Sequence, residues 1–167
     1  MLSVEEIITT LDLKPHPEGG YFRETYRSEE FISKSNLSED FQGSRNYSTS
    51  IYYLLESKDF SAFHKINQDE IWHFYSGNSI ELHCISEEGK LTSVIIGKDI
   101  TKGEVPQYIV PKHHWFAAKV VKSNTYALVG CTVSPGFDFK DFELASYHTL
   151  SKKYPKYESL IKEFTRQ

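Results

Sequence analysis

Between Tyr21 and Val133 the chain never offers a run of apolar residues at helical spacing long enough to make a helix. Short stretches rich in Tyr, Phe, Ile, Val and Thr alternate instead with turn residues such as Asn67-Gln68-Asp69, Ser76-Gly77-Asn78 and Lys122-Ser123-Asn124. About nine or ten short strands at near-regular spacing leave a sandwich or a barrel as the architectures available. The strands expected are Tyr21–Tyr26, Tyr47–Leu55, Ala62–Ile66, Glu70–Tyr75, Ser79–Ile85, Leu91–Ile96, Gln107–Val110, Trp115–Val121 and Thr125–Val133. Ser86 to Lys90 closes a hairpin, with Gly89 free to take a positive φ.

Helices are confined to the ends. Ser3 and Glu6 fit a capping box, and Val4, Ile7, Ile8 and Leu11 recur at helical spacing, so Ser3–Leu11 reads as two amphipathic turns. Near the other end, Pro155 starts a short helix carrying Tyr157, Leu160, Ile161 and Phe164. Leu144–Leu150 has no decisive period. Pro15, Pro17, Gly19 and Gly20 impose a rigid irregular turn, and the polar residues 28–46 read as a mobile surface loop more readily than as a lid. A chain of 167 residues holds one domain, 1–167, with its core at about 5–146 and a helical tail at 151–167.

The densest chemistry lies in Ser61–Gly77, where His64, Glu70 and His73 sit among Phe63, Ile66, Ile71, Trp72, Phe74 and Tyr75. Strand alternation puts His64 with Ala62 and Ile66, and Glu70 with Trp72 and Phe74, while His73 faces the other way. If both strands line one interior, His64 and Glu70 converge between apolar walls, the usual make-up of a small-molecule pocket. A buried Glu70 needs a partner, and a metal, Arg45, Arg23 or His64 are the candidates.

Charge narrows the partners. A formal net charge of −4 and scattered basic residues exclude a nucleic-acid surface. Cys84 and Cys131 each sit inside an apolar run and read as buried thiols. No stretch approaches a membrane span, and MLSVEEIITTL lacks the features of a secretory leader; a cytoplasmic location is expected.

The spacing carries a resemblance. His64, Glu70 and Gly77 fall on the first histidine, the glutamate and the closing glycine of the first cupin motif, with Ile66 at its second histidine. Pro111 matches the proline of the second motif, where His113 stands at the glycine and Phe116 at the metal-binding histidine. Further, His16-Pro17-Glu18-Gly19-Gly20-Tyr21, Asp69–His73 and Pro135-Gly136-Phe137-Asp138-Phe139-Lys140-Asp141-Phe142 are similar to one cupin subfamily of unknown function. The resemblance implies an all-β, double-stranded β-helix (cupin jelly roll) with short N- and C-terminal helices, similar to deoxysugar-nucleotide epimerases. It also implies a homodimer, for which the N-terminal and Phe137–Phe142 segments are the expected interface.

Two functions follow as expectations. One is a metal-independent isomerase or epimerase on a sugar or nucleotide-sugar-like ligand. In it His64 abstracts a proton, Glu70 orients the imidazole and a tyrosine, Tyr21 or Tyr53, returns a proton, while Glu18, Arg23, Tyr53, Ile66, Trp72, Gln107 and Phe116 bind the ligand. The other is a cupin module that binds without catalysis. No cofactor is expected; with Ile66 and Phe116 in place of two ligands, a metal would find only His64 and Glu70 and be held weakly.

Overall fold

The computed structural model describes residues 2–166. The chain opens with α1 (Val4–Leu11), capped reciprocally by Ser3 and Glu6, and then a two-residue strand, β1 (Lys14–Pro15). The strands that follow are β2 (Tyr21–Arg27), β3 (Phe31–Ile32), β4 (Arg45–Asn46), β5 (Thr49–Glu56), β6 (Ser61–Lys65) and β7 (Asp69–Gly77). After them come β8 (Ile80–Ile85), β9 (Leu91–Ile96), β10 (Gln107–Val110), β11 (Trp115–Val120), β12 (Tyr126–Ser134) and β13 (Glu143–Leu144). The helices α2 (Tyr147–Lys153) and α3 (Glu158–Glu163) close the chain, α2 resolving a segment whose sequence had no clear period.

Two antiparallel sheets face each other, one ordered β1-β2-β5-β12-β7-β10 and the other β13-β6-β11-β8-β9. This is a jelly-roll sandwich, and alternation along each strand divides its side chains between the interior and an outer face. The interior is filled by Tyr53, Leu55, Trp72, Ile80, Leu82, Phe116, Val129 and their neighbours. Two satellite cores lie outside the sheets: α1 covers Leu54 with Ile7 and Leu13, and the C-terminal helices cover Phe63, Ile85, Trp115 and Ala117 with Leu150, Tyr154, Ile161 and Phe164. The helices at both ends therefore clothe sheet faces that would otherwise expose apolar area.

The turn Asn67–Asp69 does not close a hairpin. It carries the chain from the smaller sheet, where β6 pairs with β11 and β13, to the larger one, where β7 lies between β12 and β10. His64 and Glu70 thus come from opposite walls of the sandwich.

Residues 28–46 differ from the mobile loop expected of them. They fold into the β3–β4 ribbon and bury Phe41 and Arg45. Arg45 donates through Nε and Nη2 to both oxygens of Asp141, at 2.7 and 2.6 Å, with both residues almost wholly out of solvent. A buried guanidinium requires such a bidentate partner, so this pair anchors the excursion to the segment after β12. The polar composition described the exposed rim and concealed the anchor.

Candidate functional site

A cavity of about 340 Å³ opens at one end of the sandwich. Its walls are the inward faces of β2, β5, β7 and β12, closed by the Pro/Gly turn before β2, by β6 and by Phe137, Phe139 and Phe142. The pairing of Phe22 with Tyr53 and of Ile51 with Cys131 places these side chains on the inner surface together. In β2 the register shifts between Glu24 and Tyr26, and this bulge brings Arg27, rather than Tyr26, to the face shared by Phe22 and Glu24.

Glu18 reaches the cavity because its backbone is pinned. Gly19 and Gly20 have φ of 117° and 67°, a conformation that glycine adopts without strain. The Glu18 carbonyl accepts the Ala62 N–H at 2.9 Å and Arg166 Nη2 at 3.0 Å; the Gly19 carbonyl accepts the Tyr53 hydroxyl at 2.9 Å. Arg166 is held in turn by Asp59 at 2.8 Å. The Glu18 side chain then lies buried, with Oε1 accepting the Ser61 hydroxyl at 2.8 Å and Oε2 3.0 Å from His64 Nε2.

The protonation pattern of this pair follows from its contacts. His64 Nδ1 lies 2.7 Å from the Ala62 carbonyl, which can only accept, so Nδ1 carries a proton. In a neutral ring Nε2 is then a lone pair facing a carboxylate oxygen, and a 3.0 Å contact requires a proton between them. Burial pushes the His64 imidazole down to about 4 and raises the Glu18 carboxyl, which His16, Ser61 and Arg166 pull the other way. The two side chains therefore share one proton, with burial acting against charge on either of them. His16 stands behind them: its Nδ1 accepts the Glu18 N–H at 3.3 Å, and burial lowers its pKa.

On the facing wall Glu70 is buried beside the Cys131 thiol and the Trp72 indole. Burial, reinforced by Glu18, raises its carboxyl to about 8, so that it holds a proton at neutral pH. Trp72 Nε1 lies near enough to favour the ionised form slightly, yet it makes no hydrogen bond and has no partner among the described residues. Cys131 is a protonated thiol, its pKa pushed well up by burial.

The residues expected from sequence separate into two groups. Glu18, Tyr53, His64, Ile66 and Glu70 all line the cavity. Phe116 packs against the His64 ring at 4.0 Å between centroids, and Trp72 lies deeper, edge-on to Tyr53 and Phe116. Tyr21, Arg23 and Gln107 stand outside. Tyr21 packs with Leu54 under α1, and Arg23 donates to the Leu11 carbonyl at 3.1 Å. Gln107 meets His73 at 3.2 Å on the outer face of the larger sheet. Alternation explains all three, since each neighbours an inward residue and so points outward. Glu70 does not hold the imidazole; Glu18 takes that place.

Sequence reasoning passed over Phe22, Glu24, Arg27, Thr49, Ile51, Cys131, Val133 and Asp138, all of which line the cavity. Phe137, Phe139 and Phe142, in the segment the sequence suggests as an interface, line it as well. For β5 and β12 the signal was available: any strand that sends Tyr53 inward must send Ile51 and Thr49 inward too. The β2 bulge had no signal.

A protein-family model described as "Cupin superfamily (DUF985)" matches residues 5–145. The chain belongs to the cupin superfamily. Among its relatives is an uncharacterised protein of Saccharomyces cerevisiae, 32% identical over 148 residues, which cover 83% of this chain and 73% of the yeast protein. A Shewanella oneidensis protein of known structure superposes with a TM-score of 0.90 at 38% identity over 99% of both chains. A hypothetical protein from Leishmania major gives 0.88 at 32% identity, covering 99% of this chain and 100% of the other. Oxalate decarboxylase from Bacillus subtilis shares the fold alone: TM-score 0.55, 13% identity, 90% of this chain and 36% of the enzyme.

Cupins commonly hold a divalent metal through three histidines and a carboxylate, and the donors here fit that arrangement poorly. Ile66 and Phe116 are buried at two of the positions, and the Nε2 of His64 is engaged with Glu18. Among the described residues no three His, Cys, Asp or Glu side chains are grouped to hold a metal ion. No helix among them is long and apolar enough to cross a membrane.

Proposed function

We propose that this cupin is a metal-independent isomerase or epimerase of a small hydroxy-carbonyl compound, working by proton transfer. The observation that carries the reading is the buried Glu18–His64 pair at 3.0 Å, opening on a cavity whose facing wall carries a protonated Glu70. Two titratable sites with pKa values pushed apart by their surroundings are the general pattern of acid–base enzymes.

The step balances without a further reactant. Glu18 Oε2 takes the proton from the carbon beside the substrate carbonyl while the shared proton moves to His64 Nε2. The pair gains one positive charge, held on the imidazolium. The electron pair of the broken C–H bond forms the carbon–carbon double bond, and the carbonyl oxygen takes the Glu70 proton, giving a neutral enediol and a Glu70 carboxylate. Return of a proton to the other face, or to the neighbouring carbon, completes epimerisation or isomerisation. Low local polarity strengthens the attraction between the two charges so formed.

Hydroxy-carbonyl compounds incubated with the protein in D₂O, followed by proton NMR, test the reading. Deuterium should enter at the carbon next to the carbonyl with wild type and not with Glu18→Gln. Binding without exchange, for every compound that binds, would leave a module that holds its ligand unchanged.

A further inference from the structure

The cavity is ringed by ionisable groups, yet it offers an anion almost nothing. Arg27 is the one arginine among its lining residues, and no lysine joins it. All three guanidinium nitrogens of Arg27 are engaged. Nε and Nη2 donate to the two Glu24 oxygens at 2.9 and 2.8 Å, Nη1 donates to Asn46 Oδ1 at 2.8 Å, and Nη2 also meets the Phe137 carbonyl at 3.0 Å. A bidentate carboxylate matches the arginine's charge and takes up its fork.

Beside this pair stands Asp138, whose Oδ1 accepts the Lys140 N–H at 2.9 Å and, among the described residues, no other donor. Deeper in, the two histidines are neutral and Glu70 holds its proton. A phosphate or carboxylate entering here would leave water without meeting an uncommitted cation, and a desolvated charge without a partner is costly.

What the cavity does offer suits hydroxyl groups. Thr49 Oγ1 accepts the Phe137 N–H at 2.9 Å and so keeps its own proton to donate. Asp138 accepts, and the Glu70 carboxyl can do either. At the mouth Phe139 is half exposed and lies stacked with His16, 5.8 Å between centroids and 29° between planes, which leaves a flat apolar surface for a ring. A volume of about 340 Å³ is at the small end of ligand sites, which run from roughly 300 to 1,000 Å³. A sugar ring fits such a space; a nucleotide would remain mostly outside.

We infer that the cavity takes an uncharged, hydroxyl-bearing compound, a free sugar whose open-chain form carries the carbonyl, and turns away its anionic forms, phosphate esters and nucleotide-sugars included. The inference rests on the reading of this cavity as the ligand site and narrows its substrate.

The test is calorimetric binding of a panel of free pentoses and hexoses, their phosphate esters and a nucleotide-sugar, with deuterium exchange followed on the same samples. At least one free sugar should bind wild type, and its phosphate ester should bind about tenfold more weakly or worse. Glu24→Gln, which releases Arg27 from its bidentate partner, should narrow that ratio. Tighter binding of any phosphate ester or nucleotide-sugar than of its parent sugar overturns the inference, as does a panel in which no free sugar binds. A free sugar that binds and does not exchange upholds the ligand class while removing the isomerase.

Discussion

Glu18 Oε2 and His64 Nε2 face each other at 3.0 Å with one proton between them. The two residues lie forty-six positions apart in the chain, one on a Pro/Gly turn and the other on a strand of the smaller sheet. Because the His64 Nδ1 proton is committed to the Ala62 carbonyl, the pair can exchange its single proton but cannot shed it without breaking a buried contact. That makes the pair a proton store open to the cavity.

Removing the carboxyl should therefore cost catalysis before it costs the fold. Glu18→Gln keeps the size of the side chain and a donor toward Nε2, and should slow deuterium exchange by about 10²–10⁴-fold, the usual worth of a general base. His64→Gln should fall in the same range, and the double variant should lose little more than either single one, because the two act as a unit. Rates by NMR, with urea midpoints as a control on folding, check both.

Stability should turn with pH in a way that isolates Glu70. Its carboxyl, raised to about 8 in the folded protein, ionises freely in the unfolded chain, so stability falls as pH climbs from the ordinary carboxyl range toward 8. The depressed His64 works oppositely, since stability is lost as pH drops from 6.5 toward 4. Glu18, His16 and His64 are common to wild type and Glu70→Gln, so the difference between the two curves reports Glu70. Wild type should lose stability relative to the variant from the ordinary carboxyl range up to about pH 8, with the upper interval, pH 6.5 to 8, lying above the His64 range. The slopes should differ by about 2 kcal/mol across the upper interval, measured by urea denaturation at fixed pH values.

The Arg45–Asp141 pair ties the 28–46 excursion to the segment that roofs the cavity. Arg45→Ala leaves a buried carboxylate with Gln68 as its remaining partner, at 2.8 Å, and should destabilise by about 3–5 kcal/mol. Asp141→Asn, which removes the orphaned charge instead, should recover part of that loss when combined with Arg45→Ala. Denaturant midpoints of the two single variants and the double one give the coupling.

Metal affinity should be gained, not lost, by mutation. Ile66→His with Phe116→His would put imidazoles at the two apolar positions beside His64 and Glu70, making a three-histidine, one-carboxylate set. Plasma mass spectrometry should find metal well below one ion per chain in wild type and close to one in the double variant. Near-stoichiometric metal in wild type that vanishes with His64→Ala would sink the metal-free reading.

Much of the architecture was legible in the residues. Period-two alternation correctly gave the inward face of β7 with Glu70 and Trp72 and turned His73 outward, because a strand has only two faces and apolar residues mark one of them. The same rule placed Tyr21 and Arg23 opposite Phe22, though not which face of β2 the cavity would claim. Turn glycines and the Ser3–Glu6 capping box were equally readable, being local chemistry.

The sequence by itself therefore determined the longer strands, their faces and the helices α1 and α3; it brought His64 and Glu70 together only on the condition that β6 and β7 line one interior, which the crossing between the sheets supplies. The tertiary structure alone decided that Glu18, not Glu70, holds His64, that a bulge turns Arg27 inward against Glu24, and that Arg45 anchors the polar excursion through Asp141. The reason is range. Strand period and capping act over a few residues, whereas a buried ion pair or a shared proton depends on which distant segments the packed sheets bring within about 3 Å.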